Sequence, residues 1–218
     1  MRIRSSTGSA WYSSRVSVLA LYDEVVTLPR AVRFPVELRP PEGFDPEQPS
    51  SWPRVDGRLE YVDGRLLFMP PWGELQQDTA TDVTITLGAW VRAHRTYLLG
   101  TNEAGMRLAG ETRAADAAIW RRADVGAQTS KLRRVPPVLA VEIAGDDDGD
   151  TEAALRDKAA WYRSVGVAVV WIVLPRAREV RVITGEGERR LGRGERIPAH
   201  PDLPELEPAV AELFLQLG

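Results

Sequence analysis

The sequence predicts a mixed α/β fold, a central mixed β-sheet flanked by helices, with an N-terminal extension. Three observations predict it. "RLEYVDGRLLFMPP" from Arg58 sets two strand-like pieces around Asp63-Gly64, a dipeptide that favours a tight hairpin. From Glu74 to about Leu98, apolar residues recur at helical spacing. Beyond them, short apolar runs alternate with one further helical pattern, as expected of a sheet covered by helices. With 218 residues, 44% of them hydrophobic, the chain can bury a sizeable core.

Residues 1 to about 50 mix Ser, Arg and short apolar pieces, then run into "LRPPEGFDPEQPSSWP", whose prolines cannot continue a helix or an inner strand. We read 1–50 as an extension and linker and 51–218 as the folded domain. Pro70 and Pro71 end the second hairpin strand. In the helix that follows, Val83, Leu87, Trp90, Val91 and Tyr97 fall near one face. "AADAAIW" (114–120) and "PVLAVEI" (137–143) read as two buried strands, joined by a polar loop carrying Arg121, Arg122, Lys131, Arg133 and Arg134. A second helix from about Thr151 to Val165 places Leu155, Ala159 and Tyr162 on one face, with Gly166 as its stop. "VAVVWIVL" (167–174) and "EVRVIT" from Glu179 are two more strands, followed by a glycine and arginine turn and the apolar tail "VAELFLQL". The predicted order is hairpin, helix, two strands, helix, two strands.

Bulk properties exclude several function classes. A net charge of -3 provides no global attraction to nucleic acid, so such binding needs a local basic patch. The absence of cysteine removes disulfides, thiolate zinc sites and cysteine nucleophiles, and suits a reducing compartment. The longest apolar run is far shorter than the roughly 20 residues of a membrane helix, and the basic N-terminal segment has too short an apolar stretch for a signal peptide. A soluble, cytoplasmic protein with no membrane partner is expected.

The chemistry lies in what interrupts the apolar strands. Asp116 and Glu142 each stand alone in such a run, and an ionised acid in a core costs several kcal/mol unless it is paired or metal-bound. Only two of the 28 basic residues are lysines, and one of them, Lys158, follows on the helix after Glu142. Lysine is a compact point charge that can sit beside a reacting phosphate, unlike the planar arginine fork. Magnesium takes about six oxygens, borrowing one or two carboxylates from a protein, so Asp116 and Glu142 are candidate ligands for metal-assisted phosphodiester chemistry, with Lys158 as its cation. The bland alternative is a helix-surface salt bridge with Lys158 pointing outward. For Glu60, strand alternation leaves open whether it faces inward.

Other signals carry less. Asp146, Asp147, Asp148 and Asp150 read as a solvated loop favouring the positive start of the next helix. His94 and His200 are isolated, and no G-x-S-x-G elbow supports a serine hydrolase. "GEGERRLGRG" from Gly185 lacks Gly-Lys-Ser/Thr and a following helix, so it reads as a strand turn. Arginines 121, 122, 133, 134, 189, 190, 193 and 196 read mostly as surface solubility in an arginine-rich chain.

Taken in order, "LEYVDGRLLFMPP", "AADAAIW", "VLAVEIAG" and "DKAAWYRSVGVAVVWIVLP" resemble the Uma-type (Uma-two) family of restriction-endonuclease-like proteins within the PD-(D/E)XK nuclease superfamily, over about residues 55–185. The resemblance implies a restriction-endonuclease-like core and a Mg2+- or Mn2+-dependent endonuclease acting on nucleic acid, with DNA the expected substrate. It implies Asp116 and Glu142 as metal ligands, Lys158 as the catalytic lysine and Glu60 as an additional acid facing the site. The superfamily's lysine two residues after the glutamate is replaced here by Ala144, so the resemblance moves the amine to Lys158. Cutting two strands suits two sites, and a homodimer is expected. The competing class is a catalytically silent nuclease fold that binds nucleic acid or protein.

Overall fold

The computed structural model describes residues 34–127, 129, 131–145 and 152–218. Residues 1–33 of the extension and the aspartate run 146–150 lie outside the described residues. Contacts divide the chain into two units, Met1–Val32 and Arg33–Gly218, and everything below belongs to the second.

In chain order the elements are β1 (Val36–Leu38), β2 (Arg58–Val62), β3 (Arg65–Met69), α1 (Glu74–Ala93), β4 (Tyr97–Leu108), β5 (Glu111–Arg121), the single turn α2 (Arg122–Val125), β6 (Leu139–Ile143), α3 (Glu152–Ser164), β7 (Val169–Leu174), β8 (Glu179–Thr184) and β9 (Gly187–Leu191), closed by a 3-10 segment, Val210–Leu217. Among the described residues the nine strands share one mixed sheet, ordered β1-β3-β2-β5-β6-β7-β8-β9, with β4 also paired to β5. The β6-α3-β7 crossover supplies the parallel pair, and the other ladders are antiparallel. On one face, α1 and the C-terminal 3-10 segment bury Val83, Leu87, Leu213 and Phe214 against Val141, Ile143 and Trp171. On the other, α3 packs Leu155, Ala159 and Tyr162 over Trp120, Ala140 and Ile172. The expected sheet between helices is the fold observed.

Individual elements show why. The hairpin turn places Asp63 at φ 50° and Gly64 at φ 78°, the two left-handed positions of a tight primed turn. Threonines fit inside α1 because Thr79 and Thr81 donate their hydroxyls to the carbonyls of Leu75 and Gln77, 2.9 and 3.0 Å away.

Four details depart from the sequence reading. The first helix ends at Ala93, not near Leu98, and Tyr97 opens a strand that the helical pattern had absorbed. That strand, β4, hides its alternation behind Gly100, Gly105 and a bulge between Thr101 and Ala104. "GERRL", read as part of a turn, is the edge strand β9, because the turn itself takes only Gly185 and Glu186. Val36–Leu38, from the segment read as linker, pairs with Leu66–Phe68 of β3.

Gly100 carries a testable consequence. A Cβ there would come within 2.8 Å of Trp120 Cζ3 and 3.2 Å of Ala104 Cβ. The Trp120 ring is buried and anchored by Nε1 donating to Val135 O at 3.0 Å, so it has little room to give way. Gly100→Ala is expected to cost about 1–3 kcal/mol through overpacking, read from urea melts; a wild-type midpoint would show that the ring yields freely.

Candidate active site

The site forms where the sheet forks. One edge of β5 runs along β4, while the other is shared by β2, through Tyr61↔Thr112, and by β6, through Ala117↔Val141 to Ile119↔Leu139. Between those contacts β2 and β6 part, and on that edge the backbone of β5 has no strand partner. Buried backbone groups need partners, and here side chains supply them. The Ala114 N–H donates to Glu60 Oε1 at 3.1 Å, and the Ala114 carbonyl accepts from Lys158 Nζ at 2.9 Å. The β5-β6 ladder stops one residue short of Asp116 and Glu142, the next two positions in its register.

Lys158 points inward. Beyond the Ala114 carbonyl, its ammonium meets Glu60 Oε1 at 2.8 Å and Glu142 Oε2 at 3.0 Å, which uses all three N–H donors. The other oxygen of Glu142, Oε1, accepts the Tyr162 hydroxyl at 2.7 Å. Lys158 and Tyr162 sit one turn apart on α3, so one helix face secures the whole carboxylate.

Asp116 is held differently. Its Oδ2 accepts the Ile143 N–H at 2.6 Å, while its Oδ1 lacks any hydrogen bond and lies 3.7 Å from Arg58. The Ile143 carbonyl in turn accepts the Gln76 side-chain amide of α1 at 2.8 Å, which ties the end of β6 from both sides. Asp116, Arg58 and Glu103 line a groove of about 810 Å³ walled by Trp72 and the Thr81, Thr84 and Ile85 face of α1. Glu60, Glu142 and Lys158 line a smaller cavity of about 180 Å³, with Arg58 bordering both.

Burial and crowding set the protonation. Burial is the largest influence on the acids, pushing Asp116 up to about 7 and Glu142 up to about 8. Burial alone would lower Lys158, yet Glu142, Glu60 and Asp116 together raise it above its ordinary value, so it stays charged. Tyr162 is pushed well up by its burial and by Glu142, which keeps the phenol a hydrogen-bond donor. Among the described residues four carboxylates, from Glu60, Glu103, Asp116 and Glu142, face two cations, Arg58 and Lys158. Two negative charges are left over when all ionise, which is the charge a divalent cation offsets.

The donor set suits a hard cation. Asp116 Oδ1 is an orphaned acceptor, and each oxygen of Glu142 keeps a lone pair beyond its present bond. Two carboxylates completed by water are what magnesium takes from a protein. Among the described residues no three acidic or histidine side chains converge to hold a metal unaided.

Asp116, Glu142, Lys158 and Glu60 therefore meet at one fork, with Lys158 bonded to both glutamates and Asp116 opposite Glu142 in the continued register of β5 and β6. Sequence reasoning missed Glu103, Arg58, Tyr162 as a hydrogen-bond donor, and Gln76. Tyr162 could have been found from its spacing of four from Lys158; Glu103 had no comparable signal. His94 stacks on Trp90 at 4.3 Å between ring centroids, and His200 lies in a turn, both outside the fork. No helix among the described residues is long and apolar enough to cross a membrane.

A family model, Uma2, described as "Putative restriction endonuclease", matches residues 46–217. One similar solved structure is described as "a putative nuclease belonging to DUF820" from Anabaena variabilis ATCC 29413. It has a TM-score of 0.68 at 14% identity, covering 78% of this chain and 96% of that one. No curated protein matches.

Proposed function

The chain belongs to the Uma2 restriction endonuclease family, and on that premise we propose that it hydrolyses phosphodiester bonds of DNA with Mg2+ or Mn2+, in the cytoplasm and as a homodimer with one site per strand. The observation that carries the reading is the fork. It gathers two buried carboxylates and a fixed ammonium beside a groove of about 810 Å³ that Asp116 lines.

In this reading Asp116 and Glu142 would hold the metal, which supplies charge neutralisation at the scissile phosphate and a more acidic bound water. Asp116 is oriented by the Ile143 N–H, so its free Oδ1 keeps one direction. Glu142 is oriented by Lys158 and Tyr162, which leaves its remaining lone pairs fixed in space. Lys158 is the fixed positive charge placed to stabilise the phosphate as negative charge builds on it. Its bonds to Glu60 and to the Ala114 carbonyl hold it there before substrate arrives. Glu60 is a positioning residue, joining Lys158 to the β5 backbone.

The test is cleavage of single-stranded DNA, double-stranded DNA and RNA with Mg2+ or Mn2+, with circular dichroism confirming the fold of each variant. Asp116→Asn and Lys158→Met should each lower the rate at least ~100-fold, the scale expected for removing a preorganised electrostatic group. Cleavage that persists at the wild-type rate in both variants sinks the mechanism. No cleavage of any substrate by wild type leaves the silent binding module.

A further inference from the structure

We propose that Glu103 is a cation ligand, forming with Asp116 a two-carboxylate seat on the groove side of the fork that the Arg58 guanidinium fills until a divalent metal displaces it. The inference deepens the metal-dependent reading and rests on it for the choice of Mg2+ or Mn2+.

The backbone provides the first observation. Between Thr101↔Ala117 and Ala104↔Ala115, β4 spends two residues, Asn102 and Glu103, opposite the single residue Asp116. Both have left-handed φ, 55° and 64°. Asparagine tolerates that region; glutamate has no such preference, and glycine would fit it without strain. A strained bulge aimed at one residue of the neighbouring strand is a common way to re-aim a side chain near a functional site. Here it delivers a carboxylate to Asp116.

The side chains provide the second. Asp116 is 3% exposed and lines the groove, and its Oδ1 has no hydrogen-bond partner. Glu103 Oε1 is likewise buried without one. The strained bulge is thus not offset by a hydrogen bond at either atom. Each of the two oxygens instead lies 3.7 Å from Arg58, Asp116 Oδ1 from a terminal guanidinium nitrogen and Glu103 Oε1 from Nε. That spacing is an ion pair without a hydrogen bond. Glu142, by contrast, has both oxygens bonded. The Asp116 and Glu103 side of the fork thus carries the oxygens without hydrogen bonds, while Glu142 faces it with the lone pairs left beyond its two bonds. Two open carboxylate oxygens beside a solvent-filled groove form the donor set of a hard divalent cation completed by water.

The test uses the full chain without nucleic acid. Mn2+ affinity is measured by calorimetry and by the electron-paramagnetic-resonance signal of free Mn2+. Wild type should bind Mn2+, and Glu103→Gln should bind it at least ten-fold more weakly, as should Asp116→Asn. Arg58→Met should bind several-fold more tightly, because the competing guanidinium is gone. Glu103→Gly separates ligand from scaffold: glycine suits the left-handed φ, so the melting temperature should hold or rise while Mn2+ affinity falls. Wild-type Mn2+ affinity in Glu103→Gln, or no Mn2+ binding by wild type, overturns the proposal. Mn2+ binding that depends on Glu103 in a protein that cuts no nucleic acid would retain the cation seat and remove the nuclease reading. Metal-dependent cleavage with Mn2+ affinity indifferent to Glu103 would do the reverse.

Discussion

Lys158→Met is expected to lower stability by about 3–5 kcal/mol near pH 8, the usual cost of removing one partner from a buried ion pair. The Lys158 side chain is 14% exposed, and its ammonium is bonded to two carboxylates whose side chains are 7% and 3% exposed. Methionine keeps most of the stem's volume, so the loss isolates charge rather than packing. What remains is Glu60 and Glu142 side by side, with an Ala114 carbonyl that has lost its donor. Glu142, pushed up to about 8 by burial, can escape by taking up a proton, so the deficit should shrink as pH falls toward 5.5. Adding Glu60→Gln to Lys158→Met should restore part of the loss, since a carboxylate left without its cation disappears. Lys158→Arg should not substitute fully, because a planar fork cannot bring one nitrogen to three acceptors. Urea melts at pH 5.5 and 8 measure all of this. A pH-independent loss under ~1 kcal/mol would mean that the cluster is solvated and that the ion pair is ornamental.

The same lysine shows how far sequence can go. Its rarity beside arginine, and its place on the helix after two strand-borne acids, were visible without coordinates, as were the Asp63-Gly64 turn and the apolar runs of β5, β6 and β7. These signals are local: turn chemistry, period and composition within a few residues. The fork is not local. It depends on β2 and β6 both bordering β5 and separating at Ala114, which no single segment encodes. Glu60 shows the limit well, since alternation left its face open until its oxygen was placed on the Ala114 N–H. Glu103 was further out of reach. Its strand breaks the two-residue period with Gly100, Gly105 and a bulge, so β4 was not visible as a strand and its acid could not be placed opposite Asp116. Helical spacing carried past Ala93 to Tyr97 for the same reason: the first residues of β4 are apolar and offer no stop signal.

In the presence of a chelator, the protein is expected to become less stable as pH rises from about 5.5 to 8, against the usual trend for acid-sensitive proteins. The sign follows from the acids at the fork. Burial first, then neighbouring acids, push Asp116 from 3.8 to about 7 and, with the same leading cause, Glu142 from 4.5 to about 8 and Glu103 from 4.5 to about 7. Each therefore holds its proton more tightly folded than unfolded. Their contribution is fully present below the unfolded values and is lost as pH climbs through the folded ones. Lys158 acts at the other end: raised above 10.5, its contribution stays constant below that value and is lost only in stronger alkali. The slope between pH 5.5 and 8 thus belongs to the carboxyls. They share two cations and titrate as a cluster, so a net difference of about one proton is expected, or ~1.4 kcal/mol per pH unit. Glu142→Gln should flatten the slope, since it removes the acid with the highest folded value. Saturating Mn2+ should invert it, because a metal held by carboxylates displaces their protons and binds better as pH rises. Urea melts across the window, with EDTA and with Mn2+, separate the two regimes. Stability that increases with pH in EDTA would mean that Asp116, Glu103 and Glu142 are ionised together without a cation. The surplus of two negative charges would then be neutralised by something other than protons, and the case for a divalent metal at this fork would lose its electrostatic basis.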